Sequence, residues 1–216
     1  MAEHTDRVRS AARAFGTVRR HATPRSVLIV TTATLLALTL TILLAGTTWL
    51  DQALRDAALN AVTPGAIQAL RIANLAGDWK ILLPATVLLI ATLDRARRTW
   101  WIWVALMVAA PVMEWTLKHA IARPRPENTS FGFPSGHATA IAAYTGAVLA
   151  LTAPAQRGVR TATWCAILSV MLLVGFARVV LRAHWPSDVA GGFALGLALS
   201  SLATMLATKV DARSAD

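Results

Sequence analysis

His184 and Asp188 stand four residues apart in "AHWPSD", with Pro186 between them. Proline is at home in the first turn of a helix, and a spacing of four can place both side chains on one helical face. An aspartate that accepts one ring N–H holds the imidazole in a single tautomer. The other ring nitrogen is then free to act as a nucleophile, and the carboxylate stabilises the positive ring that attack creates. A second histidine, His137, follows Ser135 and Gly136 in "FPSGHATA". With an ordinary pKa of about 6.5, histidine suits the delivery of a proton to a leaving group. Ser135 is a good N-cap residue, so the free amides of Gly136, His137 and Ala138 would point from a helix start toward an anion. Gly136 also lets a ligand come close to the backbone. Lys118, Arg123, Arg125, Arg178 and Arg182, with His119, add positive charge around these groups. Together they fit an oxyanion.

The elements that position these residues follow from composition. Of 216 residues, 56% are hydrophobic and 15% charged, and the mean hydropathy is +0.53, the profile of a membrane protein. Charge-free runs over 27–50, 138–155, 161–177 and 189–208 approach the roughly 20 residues that a spanning helix needs. A fifth run, 100–117, carries Glu114 near its end, and a sixth, 81–93, is short, holds Pro84 and could span only by recruiting residues before Trp79. The expected fold is an all-α polytopic bundle of six transmembrane helices over 26–208, with an Arg-rich cytoplasmic arm at 1–25 and a cytoplasmic tail at 209–216.

A net charge of +10 could suggest nucleic acid, but the positive residues fall at span ends. Arg7, Arg9, Arg13, Arg19, Arg20 and Arg25 precede the first run, Arg95, Arg97 and Arg98 follow the second, and Arg157 and Arg160 lie between the fourth and fifth. With six crossings all of these share the cytoplasmic side, the positive-inside pattern. Nucleic acid is thereby excluded as a partner. Tryptophans at the run ends read as interfacial anchors. The arm reads as a juxtamembrane basic segment, the first run as an uncleaved anchor and the single cysteine, Cys165, as a packing residue. Gly192, Gly196 and Ser200, four residues apart, read as a close helix-packing face. The same topology brings the three chemical clusters to one face, the extracytoplasmic one, although they lie far apart in sequence.

Lys118, Arg125 and Pro126, then Pro134, Ser135, Gly136 and His137, then Arg178, His184 and Asp188 resemble the three-part signature of the type 2 phosphatidic acid phosphatase superfamily, in order and internal spacing. The motif-bearing region covers about residues 115 to 208. The amino-terminal half is similar to the family only in hydropathy. The resemblance implies a cell-membrane enzyme that removes phosphate from lipids through a phosphohistidine, with no metal or other cofactor. It assigns His184 as nucleophile, Asp188 as its orienter and His137 as general acid. Lys118, Arg125, Arg178 and the Ser135–Gly136 backbone would hold the phosphoryl oxygens. Its substrates would be polyprenyl diphosphate, phosphatidate or phosphatidylglycerol phosphate, met within the bilayer. Ala177 departs from the pattern, standing before Arg178 where the family often has serine, and implies the loss of one supporting hydrogen bond. With only seven residues between Pro126 and Pro134, no lid domain fits there.

Other charged residues have blander readings. His4, His21, His119 and Arg182 read as headgroup-facing residues, and Glu114, four before Lys118, as a helix-surface ion pair. Arg123 has no assigned role from sequence, and oligomeric state is not legible. Two other functions share the oxyanion site. A lipid phosphotransferase would pass the same phosphoryl group to an alcohol. A non-catalytic headgroup-binding or transport protein would be expected to carry polar groups near the middle of its spans, whereas here they cluster at one end. A halide-oxidising relative, soluble by nature, does not fit the apolar runs.

Overall fold

The computed structural model describes residues 23–127 and 129–213. His4, His21 and all of the arm's arginines except Arg25 lie outside them. Among the described residues there are nine α-helices: α1 (Pro24–Ala45), α2 (Trp49–Asn60), α3 (Pro64–Asn74), α4 (Trp79–Thr92), α5 (Asp94–Arg98), α6 (Trp100–Ile121), α7 (Gly136–Thr152), α8 (Arg157–Val180) and α9 (Pro186–Arg213). One 3-10 turn, Leu75–Gly77, joins α3 to α4. The only pairing of extended backbone among these residues is a single bridge between Pro124 and Phe131.

Local chemistry explains the starts. Thr23, Thr48 and Thr63 each accept a bond from the amide three residues on, satisfying a donor that a helix start leaves free. Pro24 and Pro64 occupy first-turn positions, where the missing N–H costs nothing. Asp78 caps α4 through Lys80 N. At the end of α1, Gly46 takes a φ of 62°, a conformation that only glycine adopts without a steric cost, and the chain turns there.

Four helices are long and apolar enough to cross a membrane: α1, α6, α8 and α9; the pair Pro64–Gly77 and Trp79–Thr92, bent by 52°, makes a fifth if it is one span. α7 has 17 residues, slightly short of the expected run, and is enclosed by its neighbours. The expected first span, 27–50, ends early at Ala45, and Leu50 and Asp51 belong to α2. Helix α2 is not among the expected elements, whereas α3 and its 3-10 turn supply the residues before Trp79 that the short run 81–93 needs in order to span. The expected polar tail after Thr208 is helical through Arg213.

The bundle is organised around α7 and α9, the most extensively packed pair. A β-carbon at Gly192 would lie 2.6 Å from Ser135 O, and one at Gly196 would run into Thr139 O. Gly146 of α7 in turn makes room for Ser200. The close face expected of Gly192, Gly196 and Ser200 is therefore real, and its partner is the helix that begins at "SGH". α1 packs along α9 yet buries only Ile42. Leu36, Leu40 and Leu44 line its outer face, each more than half exposed, as lipid contact allows. Trp49, Trp79, Trp100, Trp101 and Trp115 are exposed near helix ends, in keeping with anchoring. Cys165 is not a packing residue: it is exposed, on the side of α8 that faces away from the core.

Candidate active site

The site lies where the α6–α7 loop, the start of α7, the α8–α9 turn and the α3–α4 bend meet. The α8–α9 turn is tied by Arg178 O, which accepts from both Ala183 N (3.1 Å) and His184 N (3.2 Å). Arg182 supports it with a φ of 59°. The spacing from Arg178 to His184 is thus the length of one closed turn. Asp188 lies in the first turn of α9, and its backbone oxygen accepts from Ser135 N at 2.9 Å, joining the second cluster to the third.

His184 and Asp188 are almost wholly buried. His184 Nδ1 lies 3.4 Å from Asp188 Oδ2, close contact without the alignment of a formed hydrogen bond, and it has no other partner. The same carboxylate oxygen accepts from Trp185 N at 3.0 Å. Burial, foremost, pushes the His184 imidazole down to about 4; contact with Asp188 opposes that shift, and the charges of Arg178 and Arg125 reinforce it. A neutral ring at neutral pH is what a nucleophile requires.

His137 sits in the first turn of α7, backed by Gly77, where a β-carbon would come within 3.1 Å of the His137 backbone oxygen. Arg178, Lys118, Arg125 and Asp78 are all near enough to act on it electrostatically. Arg125 and Arg178 therefore act on both histidines. Arg125 is fixed through Nε to Phe131 O at 3.1 Å, within a loop closed by Gly132 N to Arg123 O (2.7 Å) and Arg125 N to Ser130 O (3.1 Å). Arg178 Nη1 donates to Asn74 Oδ1 at 3.1 Å. Lys118 Nζ binds Glu114, the i, i+4 pair expected, and the Glu114 carboxylate also lies against Gly136.

Ser135 differs in part from expectation. It occupies the N-cap position of α7 but makes no side-chain cap; its hydroxyl is buried without a partner. The hydroxyl therefore takes none of the amides at the helix start. Every residue of the expected site, Lys118, Arg125, Ser135, Gly136, His137, Arg178, His184 and Asp188, belongs to this one region. His119 does not: its ring turns back on Trp115 O at 2.8 Å and stacks beside Trp115. Arg182 pairs with Glu127 at the exposed rim. Ala177 lies fully buried in an apolar cluster with Leu70 and Val180.

Sequence reasoning missed Asp51, Asn74 and Gly77, all from the amino-terminal half, and left Arg123 unassigned. Arg123 is 3% exposed and joins Asp51 to Asp188, with 2.6 Å to each carboxylate. One signal pointed to Asp51: "TWLD" is a threonine followed three residues later by an acid, a helix-start pattern. Asn74 and Gly77 carry no such mark.

A model of the PAP2 superfamily matches residues 98–211. An undecaprenyl-diphosphatase of Sulfolobus acidocaldarius is 33% identical over 145 residues, 60% of this chain; the chain spans 65% of that protein's length. A phosphatidylglycerophosphatase B of Bacillus subtilis is 30% identical over 160 residues, covering 69% of this chain and 79% of the relative. Among solved structures, a transmembrane PAP2-type phosphatidylglycerolphosphate phosphatase from Bacillus subtilis superposes with a TM-score of 0.73 at 25% identity, over 89% of this chain and 98% of that one. These likenesses make it a membrane protein, as its apolar helices require. With the three clusters gathered at one end of the bundle and the family pattern running through more than half of its length, the chain belongs to the PAP2 superfamily.

Proposed function

We propose that this protein is a membrane phosphatase that hydrolyses the phosphomonoester or diphosphate headgroup of a lipid through a phosphohistidine at His184. The observation that carries the reading is the convergence of Arg125 and Arg178 on two histidines, one of them buried beside Asp188. Arg125, Arg178, Lys118 and the amides at the start of α7 hold the phosphoryl oxygens. The unprotonated ring nitrogen of His184 forms a bond to phosphorus as the bond to the leaving oxygen breaks, and His137 delivers the proton that this oxygen needs. Asp188 stabilises the positive ring. A water molecule then attacks phosphorus, His137 takes its proton, and the P–N bond breaks to release inorganic phosphate.

Six crossings follow if α1, the bent α3–α4 pair, α6, α7, α8 and α9 each traverse the bilayer. The Arg95–Arg98 and Arg157–Arg160 clusters then lie inside, and the site opens on the extracytoplasmic face. In a Cys165→Ser background, a cysteine replacing Thr129 labels with an impermeant thiol reagent on intact cells, and one replacing Gln156 does not. The reverse pattern overturns the topology.

The cations sit beneath a short loop at the end of apolar helices, so the scissile phosphate arrives at headgroup depth with its tail in the bilayer. Polyprenyl diphosphate, phosphatidate and phosphatidylglycerol phosphate meet that geometry, and the first and last are in keeping with the names of two relatives. The test is phosphate release in mixed micelles. His184→Ala abolishes turnover and the acid-labile phosphoenzyme, whereas His137→Ala, which loses a general acid worth about 100- to 10,000-fold, spares nitrophenyl phosphate more than lipid. Turnover by His184→Ala overturns the mechanism. Equal specificity constants for glucose 6-phosphate and the best lipid overturn delivery by the bilayer.

A further inference from the structure

Arg123 lies between two buried carboxylates contributed by distant parts of the chain. Its Nη2 reaches Asp51 Oδ2 of α2 and its Nη1 reaches Asp188 Oδ1 of α9, each at 2.6 Å. Ser187 closes the array: its hydroxyl accepts from Arg123 Nη1 (2.6 Å) and donates to Asp51 Oδ2 (2.8 Å), while its amide donates to Asp51 Oδ1 (2.9 Å). Trp185 lies over the Arg123 guanidinium at 5.9 Å. Asp51, Arg123 and Asp188 are each no more than 3% exposed, so water screens their charges poorly.

The charges within this array decide what Asp188 can do. Arg123 paired with Asp188 alone would form a neutral couple, and the carboxylate's field at His184 would be largely cancelled. Asp51 supplies a second negative charge on the far side of the same guanidinium, so Asp51, Arg123 and Asp188 together carry one net negative charge. That charge is available to the imidazole and to the positive ring formed on attack. The planar, two-sided guanidinium fork makes such a bridge possible, and a lysine could not reproduce it.

We propose that Asp51 and Arg123 are positioning residues that act through Asp188: Arg123 aims the Asp188 carboxylate at His184, and Asp51 offsets the Arg123 charge so that Asp188 keeps its negative field there. Arg123 is therefore not one of the phosphate-binding cations, and a helix outside the family match at 98–211 contributes to the site. The inference rests on His184 being the nucleophile.

The charged groups that act on His184 are Asp188 directly, Arg178 from α8 and Arg125 from the α6–α7 loop, with Arg123 and Asp51 behind Asp188. Asp51→Asn leaves the array neutral, and Arg123→Gln leaves it doubly negative. The experiment follows the acid limb of kcat/KM on one lipid phosphate, and the NMR titration of His184, in the full-length enzyme in detergent. Asp51→Asn moves the limb to lower pH, Arg123→Gln moves it to higher pH, and the double variant returns to within about half a unit of the parent. A purely structural pair would shift stability without shifting the two limbs in opposite directions. If Arg123→Gln does not fold, Arg123→Lys keeps the charge and loses the fork: kcat falls at least tenfold with KM and the limb unmoved. Limbs that move together, a double variant that does not return, or unchanged kcat in Arg123→Lys overturn the proposal. His184→Ala is run alongside: if it still turns over, the phosphohistidine reading itself fails, and if it is dead while the limbs do not diverge, only the role of Asp51 and Arg123 fails.

Discussion

Helices α1 and α9 run side by side, yet 6% of the apolar window of α1 is buried and 56% of that of α9. The difference divides the molecule. α9 is lined with glycine, alanine and serine and receives the backbone of α7; α1 is lined with leucine and isoleucine and faces outward. In a bilayer an apolar surface does not drive helices together, so close packing relies on small residues and van der Waals contact. Side chains that must be held to a fraction of an ångström are therefore attached to α7, α8 and α9. The amino-terminal half contributes a few polar side chains, Asp51 and Asn74, from short helices laid against that core.

Three substitutions and one titration test this division. The largest effect is expected where backbone meets backbone: Gly196→Val forces a side chain into Thr139 O and Ala143 N, and overpacking of this kind costs about 1–3 kcal/mol or more. Melting in detergent is expected to fall sharply and more than nine-tenths of the activity to be lost; a variant with parental melting would show that α7 and α9 can separate freely.

Asn74→Ala tests the other half. It removes the acceptor of Arg178 Nη1, and hydrogen bonds to charged groups are worth roughly 1.5–3 kcal/mol. KM for a lipid phosphate is expected to rise about tenfold with a smaller change in kcat. An unchanged KM would make the α3–α4 bend a bystander.

The third test is titration. His184 is held down at about 4 chiefly by burial, against about 6.5 for an exposed ring. In the substrate-free enzyme it is expected to stay mostly neutral from pH 7 to 5 by NMR, where a solvent-exposed histidine would become mostly protonated. The folded-state value is the lower one, so the unfolded chain takes up the proton first as pH falls. The stability linked to this group is fully present above about 6.5 and is lost progressively as pH falls toward 4. A midpoint near 6.5 would mean that the turn between α8 and α9 is open to water. The smallest effect is expected on α1: Leu40→Ala, on the outer face, is expected to change activity in a native-like bilayer by less than twofold, since positions away from packed features seldom matter by more than about 0.5 kcal/mol. A larger loss would give α1 a role beyond covering α9.

Much of the molecule was legible because two of its signals are local. Hydropathy marks helices that must satisfy their own backbone in lipid, which made α6, α8 and α9 readable nearly to their ends. The close-packing face at Gly192 and Gly196 was readable because small residues repeat at four. The reading of 27–50 as one span failed at Gly46, where a single positive φ outweighed a continuous apolar run. Helix α2 was illegible, and α3 legible only as residues before Trp79 that the short run must recruit, for a related reason: their mixed faces resemble polar loop when hydropathy alone is weighed. Thr48 and Thr63 were the clues, since caps mark a helix start whatever its polarity. Cys165 was misread because apolar neighbours in a membrane helix indicate lipid as readily as core.

By itself the sequence determined which side chains could perform the chemistry, and that they would share one end of a bundle. Residue type, spacing within a turn and the alternation of charge with apolar runs are properties of neighbouring residues. What only the tertiary structure decided is how those side chains are held. Asp188 has Arg123 on one oxygen and Trp185 N on the other; Arg123 has Asp51 on its far side; the Ser135 hydroxyl caps nothing; Arg178 rests on Asn74. Asp51 and Arg123 are 72 residues apart, and Asn74 and Arg178 are 104 apart. Contacts at such separations leave no periodicity along the chain. They exist because burial raises the cost of an unpaired polar group until the fold supplies a partner, and that partner is whichever residue the packing of helices has brought within reach.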